Sequence, residues 1–383
     1  MSRFRDEAKG TKIEGSETVL TPTERAILNH VWRHPECSRA EVSQQLGLSK
    51  AMLTKAVGRF LDERLVAEDR QNRLPSGRGQ PAIRLRLVPG ARLGVGVSLS
   101  TQGLDIAVSD LACQIVATVS HSPLDTHEPE QTAARVVEEV RRLLATPAVP
   151  DAPLAGVGIF LPGLVSNEQE IQEITPSQRS MPVEAVKTAM STAFGKPVYF
   201  ENQALAYHAA IQPTNRYNVL LYVTLDYGVG GGLVDHGRIF RGGFNQAVNI
   251  GGLLPEPQPR PSVIDFARTL GEPEMDVTEA RLERMMAAGD TKLLTWIDQR
   301  APLLSMPLSI AVQMFNPEVI VLGGLFPKSV YAAMIDRIDL SLCDVPGRLP
   351  LMKPEMRVAT LTGGHAPASA AAAVPIARLF FGF

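Results

Sequence analysis

Six residues between Ser49 and Arg59 have the chemistry to hold a nucleic acid. Lys50, Lys55 and Arg59 offer cations to phosphates, while Ser49, Ala51 and Thr54 are the short or hydrogen-bonding side chains that suit base edges. Their spacing keeps them together. Leu53, Val57, Phe60 and Leu61 recur at i, i+4, i+7 and i+8, one stripe of a helix. If that stripe packs inward, the cations stand on or near the opposite side. A second helix precedes it from Ser38, joined through Gly47, and such a pair can lay its second member in the roughly 12 Å wide major groove. A solvated charged face on an ordinary helical hairpin would have the same pattern, so the context of the stretch has to decide. Further along, Arg78, Gly79 and Gln80 sit in Ser76-Gly77-Arg78-Gly79-Gln80-Pro81, a flexible tip with one arginine. It could enter a minor groove or lie along phosphates, or be a plain solvent loop.

The elements that must position these groups can be read around them. Thr21-Pro22-Thr23-Glu24 predicts a helix start with a capping box, and Ile27, Leu28 and Val31 give that helix its buried face. Ser38 with Glu41 predicts the second start, and Ser49 caps the third helix. Val66 to Asp69 and Ile83 to Leu87 predict two strands, the latter alternating apolar and charged residues, so that three helices carry a β-hairpin wing. From about Val88-Pro89-Gly90 a larger α/β body follows. Strands are expected at Leu93–Ser98, Leu104–Ser109 and Gln114–Val119, then a helix at Glu130–Leu144, a strand at Val157–Leu161, a helix at Pro182–Phe194 and a strand at Val198–Phe200. The order restarts with Val219–Thr224, Val229–Asp235 and Arg238–Phe240, then helices, then a buried strand at Val319–Leu322. A duplicated α/β unit with a ligand cleft between its halves is the architecture this implies. The expected divisions are a flexible N-terminus over 1–18, a winged helix-turn-helix over 19–88 and a two-lobed body over 89–383.

Composition adds limits. At 383 residues the chain is too long for one core. Residues 1–90 hold 16 Lys or Arg against 11 Asp or Glu, whereas the remainder holds 22 against 29. A basic head on an acidic body fits DNA binding by one end. Cys37, Cys113 and Cys343 are far apart and form no CxxC, so buried free thiols are expected and a structural zinc site is not. Met1 to Gly10 has no apolar signal region, and no uninterrupted apolar run of about 18 residues occurs, so a cytoplasmic protein that does not enter a membrane is expected.

A winged helix-turn-helix joined to a duplicated α/β body resembles the ROK family (repressors, open reading frames and sugar kinases), over nearly the whole chain from about Thr21. The resemblance implies an actin-like (ribonuclease H-like) body, and the two-domain arrangement is similar to that of the xylose and N-acetylglucosamine repressors. Family repressors carry a Gly-Arg-Gly-Arg-Pro type segment in the wing, which here is Gly77-Arg78-Gly79-Gln80-Pro81. In the body, Leu161-Pro162-Gly163-Leu164-Val165 resembles the family's Pro-Gly-x-Val segment beside the sugar.

At the positions of chemistry the chain departs from the family's kinases. Their Asp-x-Gly-Gly-Thr loop corresponds to Val97-Ser98-Leu99-Ser100-Thr101, with neither carboxylate nor glycines. Glu201-Asn202-Gln203-Ala204 resembles Glu-Asn-Asp-Ala, so Gln203 stands where the kinases hold their base. An amide has no basic state near neutral pH, and a positioned general base is worth about 10²–10⁴-fold. Asp226-Tyr227-Gly228-Val229-Gly230-Gly231-Gly232 corresponds to the second phosphate segment, and Asp226 brings a negative charge to it. A glycine run also serves tight strand contacts. In Val248-Asn249-Ile250-Gly251-Gly252 the family's sugar-holding Glu is Asn249 and its His is Gly252; the cysteine-rich zinc loop is replaced by Leu254-Pro255-Glu256-Pro257. Metal and cofactor are therefore not expected.

What the resemblance implies is a DNA-binding transcriptional regulator, expected to be a repressor without kinase activity. Its partners would be a double-stranded operator, a second or further copies of the chain as homodimer or homotetramer, and a small carbohydrate effector. Pro162, Gly163, Asn202, Gln203 and Asn249 are the expected effector contacts, with Ser177, Gln178 and Arg179 as additions; Arg179 would suit an anionic ligand such as a sugar phosphate. Two alternatives stand beside it: an active ATP-dependent carbohydrate kinase, and an architectural DNA-bound protein with a vestigial cleft.

Overall fold

The computed structural model describes residues 19–69, 83–100, 103–124, 128–161, 163–165, 171–174, 181–212, 216–254, 259–343 and 351–383. In α1 (Pro22–Arg33) the Thr21 hydroxyl accepts from the Glu24 amide at 3.2 Å while the Glu24 carboxylate accepts from the Thr21 amide at 2.8 Å, closing the predicted capping box. A two-residue strand, β1 (Cys37–Ser38), leads into α2 (Arg39–Leu46), which opens with the same device at Ser38 and Glu41. Gly47 ends α2 in the left-handed region at φ 63°, where a side chain would be strained. Ser49 then caps α3 (Lys50–Asp62) by accepting from the Met52 amide. Strands β2 (Val66–Asp69) and β3 (Arg84–Leu87) pair antiparallel, with Val66 opposite Leu87 and Asp69 opposite Arg84. The edge left open on β3 is taken by β1, a third strand that the residue pattern does not announce.

The first lobe begins with the meander β4 (Leu93–Ser100), β5 (Gly103–Asp110) and β6 (Ile115–His121). Then come α4 (Pro129–Leu144), β7 (Leu154–Phe160), the hairpin β8 (Gly163–Val165) and β9 (Ile171–Ile174), α5 (Val183–Phe194), β10 (Val198–Glu201) and α6 (Ala204–Ile211). Its sheet runs β10-β7-β4-β5-β6, with β4, β7 and β10 parallel. The second lobe repeats the scheme with β11 (Val219–Leu225), β12 (Val229–Asp235) and β13 (Arg238–Ile239), followed by α7 (Val263–Leu270), α8 (Glu279–Ala287), α9 (Thr291–Arg300) and α10 (Ser305–Phe315). It ends with β14 (Val319–Gly324), α11 (Lys328–Ile335) and β15 (Glu355–Val358), in a sheet ordered β13-β12-β11-β14-β15. The expected duplication is therefore present, and the strand boundaries differ from the expected ones by a few residues.

One more helix, α12 (Ala366–Ile376), lies outside the pattern read from the sequence. All eleven of its residues are buried. Gly96 in β4 and Gly158 in β7 let it lie directly on the first sheet: a Cβ at Gly96 would stand 1.9 Å from the Ala368 carbonyl, and one at Gly158 2.1 Å from that of Ala371. Ser109 fixes the contact by donating to the Ala372 carbonyl at 2.9 Å. Each lobe has its own apolar core, and a third cluster runs through α6, α12 and the helix-turn-helix, joining head to body. Cys37, Cys113 and Cys343 are buried free thiols. Among the described residues, no helix is long and apolar enough to cross a membrane.

Candidate nucleic-acid interface and ligand cleft

Packing decides which face of α3 meets solvent. Leu53, Ala56, Val57 and Phe60 are buried, and Leu61 is partly so. Ser49, Lys50, Ala51, Thr54 and Lys55 are exposed together, with Met52 among them at 51%. Arg59 does not belong to that open face. Its guanidinium donates to Glu24 Oε1 and Oε2 at 2.8 and 2.9 Å and to Glu63 Oε1 at 2.8 Å, so its charge is spent on clamping α3 to α1. The expected phosphate contact at Arg59 has that competing assignment. Arg78, Gly79 and Gln80 lie outside the described residues.

The head is seated on the C-terminal segment. Beyond α12, Ala377–Phe381 forms a single π turn, and Phe381 stacks on Trp32 of α1. Arg33 lies over the Phe383 ring at 5.5 Å, and Arg92, over Phe380 at 5.9 Å, also reaches Glu63 at 3.6 Å.

Between the lobes opens a cavity of about 620 Å³. Gly163, Asn202, Gln203 and Asn249, four of the expected effector residues, all line it. Pro162, Ser177, Gln178 and Arg179 lie outside the described residues. The turn from β10 into α6 presents the two amides. Asn202 Nδ2 donates to the Gly163 carbonyl at 2.9 Å, and the Gln203 backbone N–H donates to Glu201 Oε1 at 3.1 Å. Asn202 Oδ1 and Gln203 Oε1 are buried without a donor. Asn249 is partly committed, since its Oδ1 accepts from the Gly252 amide at 3.0 Å and caps the short turn Ile250–Leu253.

Beneath these amides lies an ion cluster that the residue pattern gives no sign of. Glu201 is fully buried and accepts from Arg241 at 2.6 Å and from Arg378 at 3.1 Å. Burial alone would raise its pKa, but the two guanidinium groups hold it below the usual carboxylate range. Arg241 also donates to Asn245 Oδ1 at 3.2 Å, on the cleft wall.

Asp226, also on the cleft lining, accepts from Thr224 Oγ1 at 2.9 Å and from the Leu325 backbone N–H at 3.0 Å. Desolvation pushes its pKa up to about 6. The neighbouring Tyr227 hydroxyl donates across the cleft to Ser100 Oγ at 3.5 Å, linking the two lobes, and burial pushes the phenol up to about 12. The glycine run serves strand packing: a Cβ at Gly232 would stand 2.6 Å from Ala206 Cβ, and one at Gly231 2.8 Å from Ile250. Among the described residues, no three His, Cys, Asp or Glu side chains are grouped to hold a metal.

Known proteins share this organisation. Residues 95–339 match the model of the ROK family, and residues 20–67 match a winged helix-turn-helix DNA-binding model. The chain is 27% identical over 372 residues to the uncharacterized protein y4fQ of Sinorhizobium fredii, covering 94% of this chain and 92% of that one. It is 24% identical over 229 residues to the xylose repressor of Bacillus subtilis, covering 58% of each. With the DNA-binding transcriptional repressor Mlc of Escherichia coli it shares 22% over 318 residues, covering 76% and 78%. Among solved structures, a ROK family transcriptional regulator homologous to Escherichia coli MLC superposes with a TM-score of 0.69 at 20% identity, over 94% of this chain and 98% of that one. A ROK glucokinase of Streptomyces griseus, in complex with glucose and AMPPNP, superposes at 0.56 and 20% identity over 74% and 98%. These superpositions show a shared fold, and with the match over 95–339 the chain belongs to the ROK family.

Proposed function

We propose that the chain is a DNA-binding transcriptional repressor whose grip on its operator is modulated by a small carbohydrate in the inter-lobe cleft, and that it is not a kinase. The observation that carries this reading is the pairing in one chain of an exposed Lys50–Lys55 face on a recognition helix with a cleft that holds the amide of Gln203 at the place of a base. The relatives named as xylose repressor and Mlc support it. Ser49, Lys50, Ala51, Thr54 and Lys55 are the proposed DNA contacts, with the wing residues Arg78, Gly79 and Gln80 beside them. Gly163, Asn202, Gln203 and Asn249 are the proposed effector contacts, with Pro162, Ser177, Gln178 and Arg179 around them. A cytoplasmic homodimer or homotetramer, matching its two-fold axis to paired half-sites, completes the reading.

Cleft and head are joined by contiguous contacts. Asn245 on the cleft wall binds Arg241, Arg241 and Arg378 share Glu201, and Arg378 stands in the same π turn as Phe381, which stacks on Trp32. A ligand that prefers one lobe arrangement would bias the seat of the head through this path. Selection of bound fragments from genomic DNA, followed by titration of the recovered site with sugars, tests the reading. Failure to recover any site, or ATP-dependent sugar phosphorylation that disappears on changing Gln203, would replace it with the kinase reading.

A further inference from the structure

The effector cleft has a pronounced electrical sign. Among its described lining residues are three carboxylates, Asp105, Asp226 and Glu279, and one histidine, His121, with no lysine or arginine. His121 faces Glu139 at 3.3 Å, so its own charge has a carboxylate at hand. Asp105 takes a hydrogen bond from Ser120 and has His365, half-exposed, at 3.4 Å. The Tyr227 phenol, bridging to Ser100, sits in the combined field of Asp226 and Asp105. Gln203 is 7% exposed; its Oε1, turned toward Gly232, and Asn202 Oδ1 are both buried without a donor. Tyr227 aside, the ionisable groups among the described lining residues are thus three carboxylates and one histidine, and what the carboxylates attract is a hydroxyl or an ammonium hydrogen. A phosphate group brings only acceptor oxygens and negative charge into a partly desolvated space where carboxylates already stand.

We propose that this cleft sorts ligands by charge: it admits a hydroxyl-rich compound that is neutral or carries an ammonium group, and it rejects phosphorylated compounds, nucleoside triphosphates included. The inference rests on the cleft being the effector site and narrows the class of that effector. Asp105 and Glu279 set the sign from the two lobes. Asp226 and Tyr227 occupy the segment that in a phosphate-binding relative would be left to backbone N–H groups.

Calorimetric titration of the full chain with glucose, glucosamine, glucose 6-phosphate and inorganic tripolyphosphate reads the sorting directly. Glucose and glucosamine should bind at least about tenfold tighter than glucose 6-phosphate, and tripolyphosphate should give no heat at millimolar concentration. The double variant Asp105→Asn, Glu279→Gln, which leaves the Asp226 support of β11 and β14 in place, should gain tripolyphosphate binding by at least about tenfold, with its fold checked by operator binding. Glucose 6-phosphate binding the wild type as well as glucose does, or losing that binding in Arg179→Gln, would overturn the proposal. Tripolyphosphate silent on both wild type and variant would overturn it too, because exclusion would then be by shape. Should neither glucose nor glucosamine bind while tripolyphosphate behaves as stated, the charge rule stands and the hexose part of the functional reading falls.

Discussion

The indole of Trp32 and the ring of Phe381 lie face to face, 4.3 Å between centroids and 8° from parallel, although 349 positions separate them. Both are nearly inaccessible, at 4% and 3% exposure. The first helix of the DNA-binding head is thus anchored on the last turn of the chain, a turn held from below by Arg378 on Glu201.

Phe381→Ala should leave the head folded but loosely seated. We expect a stability loss of about 3 kcal/mol in urea denaturation, and a stacking coupling of about 1 kcal/mol in the double-mutant cycle with Trp32→Ala. Operator binding should persist while its response to the effector weakens; an unchanged response would show that the stack transmits nothing.

Lys50→Ala with Lys55→Ala should weaken binding to all DNA sequences and flatten the slope of log affinity against log salt by about two units. Thr54→Ala should instead change which sequences are preferred. Arg59→Ala separates from both, because its partners are Glu24 and Glu63. Its effect belongs to thermal stability, and a salt-slope change at Arg59 equal to that at Lys50 would refute this assignment.

Replacing Glu201 by Gln leaves Arg241 and Arg378 without their shared anion. With Glu201 fully buried, the cost should be about 3 kcal/mol or more in equilibrium unfolding, and the two single Arg→Met variants should be non-additive with it. Additive effects would mean that the three residues do not act as one unit.

The pH profile of stability should contain two opposed contributions. Burial lowers His208 to about 4, below its ordinary 6.5, so its contribution is present above about 6.5 and lost as pH falls toward 4. Desolvation raises Asp226 to about 6 from 3.8, so ionising it in the fold costs stability as pH rises from about 4 to 6, and acidification relieves that cost. Each is worth about 3 kcal/mol at 1.36 kcal/mol per unit. Relative to the wild type, His208→Leu should lessen the loss of stability on going from pH 6 to 4, and Asp226→Asn should deepen it. Parallel melting profiles for the two variants would contradict the opposite signs.

Local chemistry made much of this protein legible in its residues. The caps at Thr21, Ser38 and Ser49 act within three positions, and the inward stripe Leu53, Val57, Phe60 has the helical period, so the helix-turn-helix could be drawn before any coordinates. Strand alternation and the repeated order of elements gave the duplicated body, and Gly163, Asn202, Gln203 and Asn249, far apart along the chain, line one cleft.

What escaped the sequence depended on partners far along the chain. Arg59 looks free on its helix until α1 brings Glu24, 35 positions away, against it. Helix α12 has no amphipathic period because it is buried on every side, and periodicity reports only helices with one face in water. Tyr227 meets Ser100, and Glu201 meets Arg378, only when two lobes and a terminal turn assemble. The sequence by itself determined the local elements, since caps and periodic burial act over one or two turns. Tertiary structure alone decided which charges are spent inside the fold, which remain in the cleft, and how the head is tied to the body, since those outcomes depend on long-range contacts that no local pattern encodes.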